Sequence, residues 1–137
     1  MLDTSGMLAW LDGSEGQHRR VADAMATVEP PYLLSPFVLA ELDYLLSMRV
    51  GPHAQRALLA EVAQGVYRLE PFSAADVENA LAILDRFADQ RLGIADASIV
   101  VLAERHRARN LLTLDERHFR VLTSRDGKPF RLLPADA

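Results

Sequence analysis

Apolar residues recur along this chain in two rhythms. Short clusters at Tyr32–Leu34, Val66–Leu69, Leu111–Leu114 and Arg131–Leu133 suit strands buried in a sheet. Longer stretches with apolar positions three and four apart suit helices. Met1–Asp3 reads as a truncated first strand, with Thr4 or Ser5 capping a helix over Met7–Leu11. Further helices are expected over Gln17–Val28, which Glu29-Pro30-Pro31 closes, and from Ser35-Pro36 to about Val50. Two more are expected over Ala54–Gln64, between Gly51-Pro52 and Gly65, and over Ala74–Ala88, capped by Ser73. Asp89–Gly93 is a polar connection. Ile94–Ala103, the most apolar segment, is rich in β-branched residues, but its length predicts a buried central helix. Long helical connections between successive strands point to mostly parallel pairing. The predicted fold is therefore α/β, with a central, mostly parallel sheet of four to five short strands between two helical layers.

A chain of 137 residues, half apolar and a quarter charged, fits one domain over residues 1–137. Without cysteine it has no disulfide, thiolate metal site or thiol nucleophile. No apolar run approaches the roughly 20 residues that span a bilayer, and no secretory signal pattern is present, so a soluble, cytoplasmic protein is expected. Charge is unevenly placed. Residues 1–103 carry 7 Arg and no Lys against 14 acids, whereas residues 104–137 carry 7 Arg and 1 Lys against 5 acids. An acidic body with a basic final quarter can hold cations and attract phosphates.

The chemistry most consistent with this pattern lies in four acids. Asp3 and Asp115 each leave a strand and precede a helix, and Asp96 sits in the first turn of the central helix. Each alone is explained by capping or the helix dipole. Glu41 is different, because it shares a helix face with Val38 and Leu45 and has no base within a turn. It is expected to press against the core, where a lone carboxylate costs several kcal/mol. Asp43, about 200° away around the helix, should be solvated. In an open parallel sheet, residues at strand exits collect at the carboxyl edge. Four carboxylates meeting there would repel one another unless a hard divalent cation, Mg²⁺ or Mn²⁺, lay between them. His18, His53, His106 and His118 show no zinc spacing and read as surface or cap residues; Trp10 and Tyr44 read as core. No Walker, GxGxxG or GxSxG motif occurs.

Four blocks in order, LDTSG at Leu2–Gly6, AEL at Ala40–Leu42, GIADASIVVLA at Gly93–Ala103 and LLTLDERHF at Leu111–Phe119, centre on these same acids. Over essentially its whole length the chain resembles the PIN-domain ribonucleases, and among them the VapC toxins of type II toxin–antitoxin pairs. The resemblance implies a PIN-like three-layer fold and a Mg²⁺- or Mn²⁺-dependent endoribonuclease that cleaves structured RNA, such as a tRNA or rRNA stem-loop, leaving a 5′-phosphate. It implies Asp3 and Asp96 as principal metal ligands, Glu41 and Asp115 as the acids completing the site, and Thr4, Ser5 and Thr113 as supporting hydroxyls. Asp89 is a further acid near the rim, outside that set. A cognate antitoxin and homodimerisation are implied as well, with helix faces around Phe37–Leu46 as the candidate contact. Arg105, Arg107, Arg109, Arg117 and Arg120 of the basic quarter are candidates to hold flanking RNA phosphates. The alternative is a non-catalytic PIN-fold module that binds RNA or docks a protein, in which one of the four acids would be expected to be missing. A phosphatase or receiver domain fits poorly: Asp-Thr-Ser replaces Asp-x-Asp, and the only lysine, Lys128, lies in a turn-like segment.

Overall fold

The computed structural model describes all 137 residues. Four three-residue strands, β1 (Tyr32–Leu34), β2 (Tyr67–Leu69), β3 (Asn110–Leu112) and β4 (Arg131–Leu133), form two parallel pairs, β1 with β2 and β3 with β4. Leu2 joins the pairs through parallel bridges to Leu34 and Leu112. Leu2 N–H donates to Leu33 O at 3.1 Å and Asp3 N–H to Leu112 O at 3.0 Å, so the N-terminal segment occupies the middle of the sheet. The lateral order is β2-β1-Leu2-β3-β4. The expected first strand is thus reduced to a single bridging residue, held from both sides.

This order fixes where a site can lie. From the central segment the chain winds outward through β1 and β2, then crosses back to the other side for β3 and β4. The reversal falls between the central segment and β3, the position where parallel α/β sheets leave a crevice at their carboxyl edge. Asp3 and Thr113 emerge there together.

The helices are α1 (Thr4–Leu11), α2 (His18–Met25), α3 (Pro36–Arg49), α4 (Pro52–Ala63), α5 (Ala74–Arg86), α6 (Ile94–His106) and the short α7 (Glu116–Phe119). The expected strand Leu111–Leu114 is shifted to Asn110–Leu112, since Thr113 and Leu114 bend out to build the site, and α7 was not foreseen. In α6, Ala97 through Ala103 are all buried, as a central helix requires. Ser98 pins this helix: its hydroxyl donates to Ala95 O, and it lies 2.6 Å from the buried hydroxyl of Ser35, which caps α3. One core of 24 residues runs from Leu2 through Val38, Leu42 and Ile99 to Phe119 and Leu133.

Three expectations along α3 need correction. Val38, Leu42 and Leu46 are consumed by that core and Phe37 packs edge-on against Phe72, so little of the Phe37–Leu46 apolar face is free for another copy. Tyr44 is not core: it is 64% exposed, as is Met48 at 69%. Trp10 does pack inward, edge-on between Tyr32 and Tyr67. Asp43 is half-buried rather than solvated and accepts from Gln55 on α4 at 2.7 Å.

Candidate active site

A cleft of about 350 Å³ opens at the carboxyl edge of the sheet, and Asp3, Glu41, Asp96 and Asp115 all line it. Chain segments far apart in sequence deliver them. Asp3 follows the central segment, Asp115 follows β3, Asp96 stands at the start of α6, and Glu41 projects from the second turn of α3.

Asp3 is 6% exposed and occupies the cap position of α1, yet its side chain caps nothing. Its Oδ2 instead accepts from the hydroxyls of Ser5 and Thr113, each at 2.7 Å. Those hydroxyls lie 3.2 Å from each other; Leu114 N–H donates to Ser5 Oγ and Asp115 N–H to Thr113 Oγ1, both at 2.9 Å. Thr4 and Ser5 are therefore not caps of a helix beginning at Met7. They lie inside α1, and Ser5 serves the carboxylate and the segment that leaves β3. Burial pushes the Asp3 carboxyl above the usual range, and the two hydroxyls, with the backbone N–H groups of Thr4 and Ser5, pull against that rise. The Thr4 hydroxyl is buried without a hydrogen-bond partner, but lies close enough to Glu41 to favour its charged form.

Asp96 is half-buried and accepts from Gly93 N–H at 3.1 Å, which closes the first turn of α6. Burial raises its pKa, the Gly93 N–H opposes, the charges of Asp3 and Asp115 add to the rise, and His118 works against it. Asp115 caps α7 by accepting from His118 N–H at 3.1 Å, and its other oxygen meets His118 Nδ1 at 2.8 Å. Glu41 departs from expectation. It is exposed on the cleft wall rather than pressed into the core, because Val38 and Leu42 take the buried side of α3. Its pKa still rises, through partial desolvation first and then repulsion from Asp96 and Asp3. Of the four acids, only Asp115 has an ion-pair partner, His118; Asp3, Glu41 and Asp96 have none.

A hard divalent cation matches this set in chemistry: oxygen donors, mutual repulsion and no ion pair to three of them. No three His, Asp or Glu side chains are already drawn together as a closed ligand set.

The arginines of the basic quarter stand elsewhere. Arg105 lies nine residues beyond Asp96 on α6, about 13 Å along the helix, and is bound to Asp76 at 2.6 Å and to Pro71 O. Arg109 pairs with Asp126 at 2.5 Å, and Arg120 with Asp136 at 2.7 Å and Glu116 at 3.0 Å. Arg107 and Arg117 are exposed and lie outside the lining of the cleft, as does Asp89. None of the five arginines is brought to the acids; most of that quarter's positive charge is neutralised locally. Three residues at the site were not foreseen. His118 follows Asp115 by three, a spacing that places it on the same turn and was legible in LDERH. Glu15 and Arg49 line the cleft but carry no motif.

A family model for the PIN domain matches residues 1–123. Ribonuclease VapC26 of Mycobacterium tuberculosis is 44% identical over 134 residues, covering 98% of this chain and 99% of the relative. The crystal structure of M. tuberculosis VapC20, described as a sarcin–ricin loop cleaving toxin, superposes with a TM-score of 0.77 at 26% identity, covering 83% of this chain and 88% of that one.

Proposed function

The chain belongs to the PIN-domain ribonucleases of the VapC type, and we propose that Asp3, Glu41, Asp96 and Asp115 form the centre of its endoribonuclease activity. The observation that carries this reading is the absence of any ion pair to Asp3, Glu41 and Asp96, although burial raises the pKa of all three and repulsion from neighbouring acids adds to the rise at Glu41 and Asp96. Such a set costs stability unless a cation is bound, and groups of this kind cluster at functional sites. A docking module without chemistry has no use for them.

Asp3 and Asp96 would hold a divalent cation, Mg²⁺ or Mn²⁺, and Glu41 and Asp115 would complete its surroundings. When bound, that cation neutralises the carboxylates, draws in the anionic phosphate and makes nearby water more acidic. The residues of the chain supply the rest. Ser5 and Thr113 fix Asp3 Oδ2 through their hydroxyls, and Gly93 N–H fixes Asp96, so both carboxylates are oriented in advance. The N-termini of α1 and α6 turn their positive ends toward the cleft, which favours a phosphate there. Glu41, the most open of the four and raised in pKa, would take the proton from water attacking the scissile phosphate.

The substrate is a structured RNA, and the description of the VapC20 relative favours a ribosomal stem-loop over a tRNA. No helix here is long and apolar enough to cross a membrane. We read the whole of residues 1–137 as one unit, acting in the cytoplasm as a homodimer restrained by a cognate antitoxin. Inducing the chain without its antitoxin should arrest growth within a generation, and Asp96→Asn should not. Sequencing of 5′-phosphate RNA ends after brief induction should reveal new ends concentrated in one or a few loops. Soluble wild-type protein that leaves growth and RNA ends unchanged would refute the toxin reading.

A further inference from the structure

The cleft extends well beyond the acids. Its walls follow α1 and α3 side by side. On α3 the lining row is Glu41, Leu45 and Arg49, spaced four residues apart; on α1 the floor continues from Ser5 to Leu8 and Ala9. Arg49 is two helical turns from Glu41, about 12 Å along the axis. The groove therefore has an acidic end, an apolar middle and a single cation, Arg49, at its far end; Glu15, beyond the end of α1, is a further acid of its lining.

Arg49 is the only basic residue lining the cleft. It is exposed and has no acid within ion-pair distance, although its charge is felt by Asp12 at the end of α1. Its place in the last turn of α3 suits the helix dipole. The dipole does not dictate which side of the helix the arginine occupies, and this one occupies the groove. The other arginines expected to meet phosphate are paired or outside the cleft, so any contact of a basic side chain to a phosphate within it falls to Arg49.

We infer that Arg49 binds a phosphate of the RNA strand flanking the scissile bond, with the intervening nucleoside lying over Leu8, Ala9 and Leu45. The inference rests on the ribonuclease reading of the same site. A guanidinium presents a planar fork of donors that matches phosphate oxygens. The apolar floor offers contact to a ribose or base face without demanding a particular base. Arg49 is then a substrate-binding residue: it sets the polarity of the strand across the acids and contributes to affinity.

The test uses the full chain with total RNA as substrate, comparing wild type with Arg49→Ala, Arg49→Gln and Arg49→Lys. The readouts are cleavage rate against RNA concentration, its dependence on KCl, and Mn²⁺ affinity. Arg49→Ala and Arg49→Gln should raise KM roughly tenfold while changing kcat by less than about twofold. The slope of log(kcat/KM) against log[KCl] should become shallower by about 0.7, the value for one phosphate contact to a single strand. Arg49→Lys should recover part of the affinity, and Mn²⁺ affinity should be the same in all four proteins. If the wild type cleaves and both neutral variants keep its KM and salt slope, Arg49 has no part in RNA binding and the inference is overturned while the ribonuclease reading stands. A fall in kcat together with loss of Mn²⁺ binding also overturns it, by making Arg49 a support of the acids. A wild type that cleaves no RNA removes the ribonuclease reading and the inference with it.

Discussion

Asp3 has surrendered nearly all contact with water and meets no protein cation, only two hydroxyls and the nearby backbone N–H groups of Thr4 and Ser5. Its raised pKa has a consequence for stability. A carboxyl that is easier to protonate in the folded chain than in the unfolded one destabilises the fold once pH exceeds the unfolded value near 3.8, and the penalty is complete above the folded value. At neutral pH without divalent ions, Asp3→Asn should therefore melt at a higher temperature than wild type. Added Mn²⁺ should raise the melting temperature of wild type more than that of the variant, by preferential binding to the native state. Thermal scans of both proteins with and without Mn²⁺ decide the matter, and an Asp3→Asn protein that melts lower in chelator contradicts it. The supporting hydroxyls act one step further out. Thr113→Val should reduce Mn²⁺ affinity and cleavage by roughly 10- to 100-fold, and titration of the variant that gives wild-type affinity would refute the orienting role. Residue by residue, the acids were legible as a set, but the ranking changed. Glu41 looked like the carboxylate forced against the core, because helical periodicity assigns faces and cannot tell a buried face from the wall of a cleft. Asp3 looked like an ordinary cap, and it is the buried acid that caps nothing.

At the scale of elements, α1 must lie very close to the sheet for Ser5 to reach both Asp3 and the residues that follow β3. Gly6 permits this: a Cβ there would sit 2.6 Å from Leu112 O, and backbone cannot yield as a flexible side chain can. Gly6→Ala should lift α1, destabilise the fold by about 1–3 kcal/mol and impair cleavage; urea unfolding with an unchanged midpoint would show that the approach is looser than it looks. A second tie closes the end of the chain. Asp136 receives both terminal nitrogens of Arg120 and the backbone N–H of Leu132, which holds its pKa down to about 2. A depressed carboxyl adds stability above its unfolded pKa and loses it as pH falls through the folded value. Asp136→Asn should thus lower the melting temperature at pH 6, with the gap to wild type narrowing between about pH 4 and pH 2; a gap independent of pH would show that the charge is immaterial. Order and kind of the long elements followed from periodicity and from Pro, Gly and Ser at their ends. The first strand and α7 were harder to read, since one bridging residue and a four-residue turn carry no period.

For the whole molecule, the distribution of charge along the chain proved a poor guide to its distribution in space. The basic final quarter is largely neutralised by ion pairs such as Arg105–Asp76, Arg109–Asp126 and Arg120–Asp136, which bind elements together at the surface. Spacing in sequence could not reveal those partners, because they come from α5, a late turn and the C-terminal residues. The sheet, by contrast, was readable in outline, since alternating apolar clusters and helices admit few parallel topologies. Its strand order supplied what spacing could not: Asp3 and Asp115, 112 residues apart, leave neighbouring positions at the point where the winding reverses. The most direct test of the four-acid centre is cleavage of total RNA by the purified chain, with Mg²⁺ or Mn²⁺ and with EDTA, alongside Asp3→Asn, Glu41→Gln, Asp96→Asn and Asp115→Asn. Cleavage to 5′-phosphate ends should require the metal, return on its re-addition and fall by roughly 100-fold or more in the Asp3 and Asp96 variants. Cleavage that continues undiminished in EDTA, or wild-type rates from Asp3→Asn and Asp96→Asn, would contradict it.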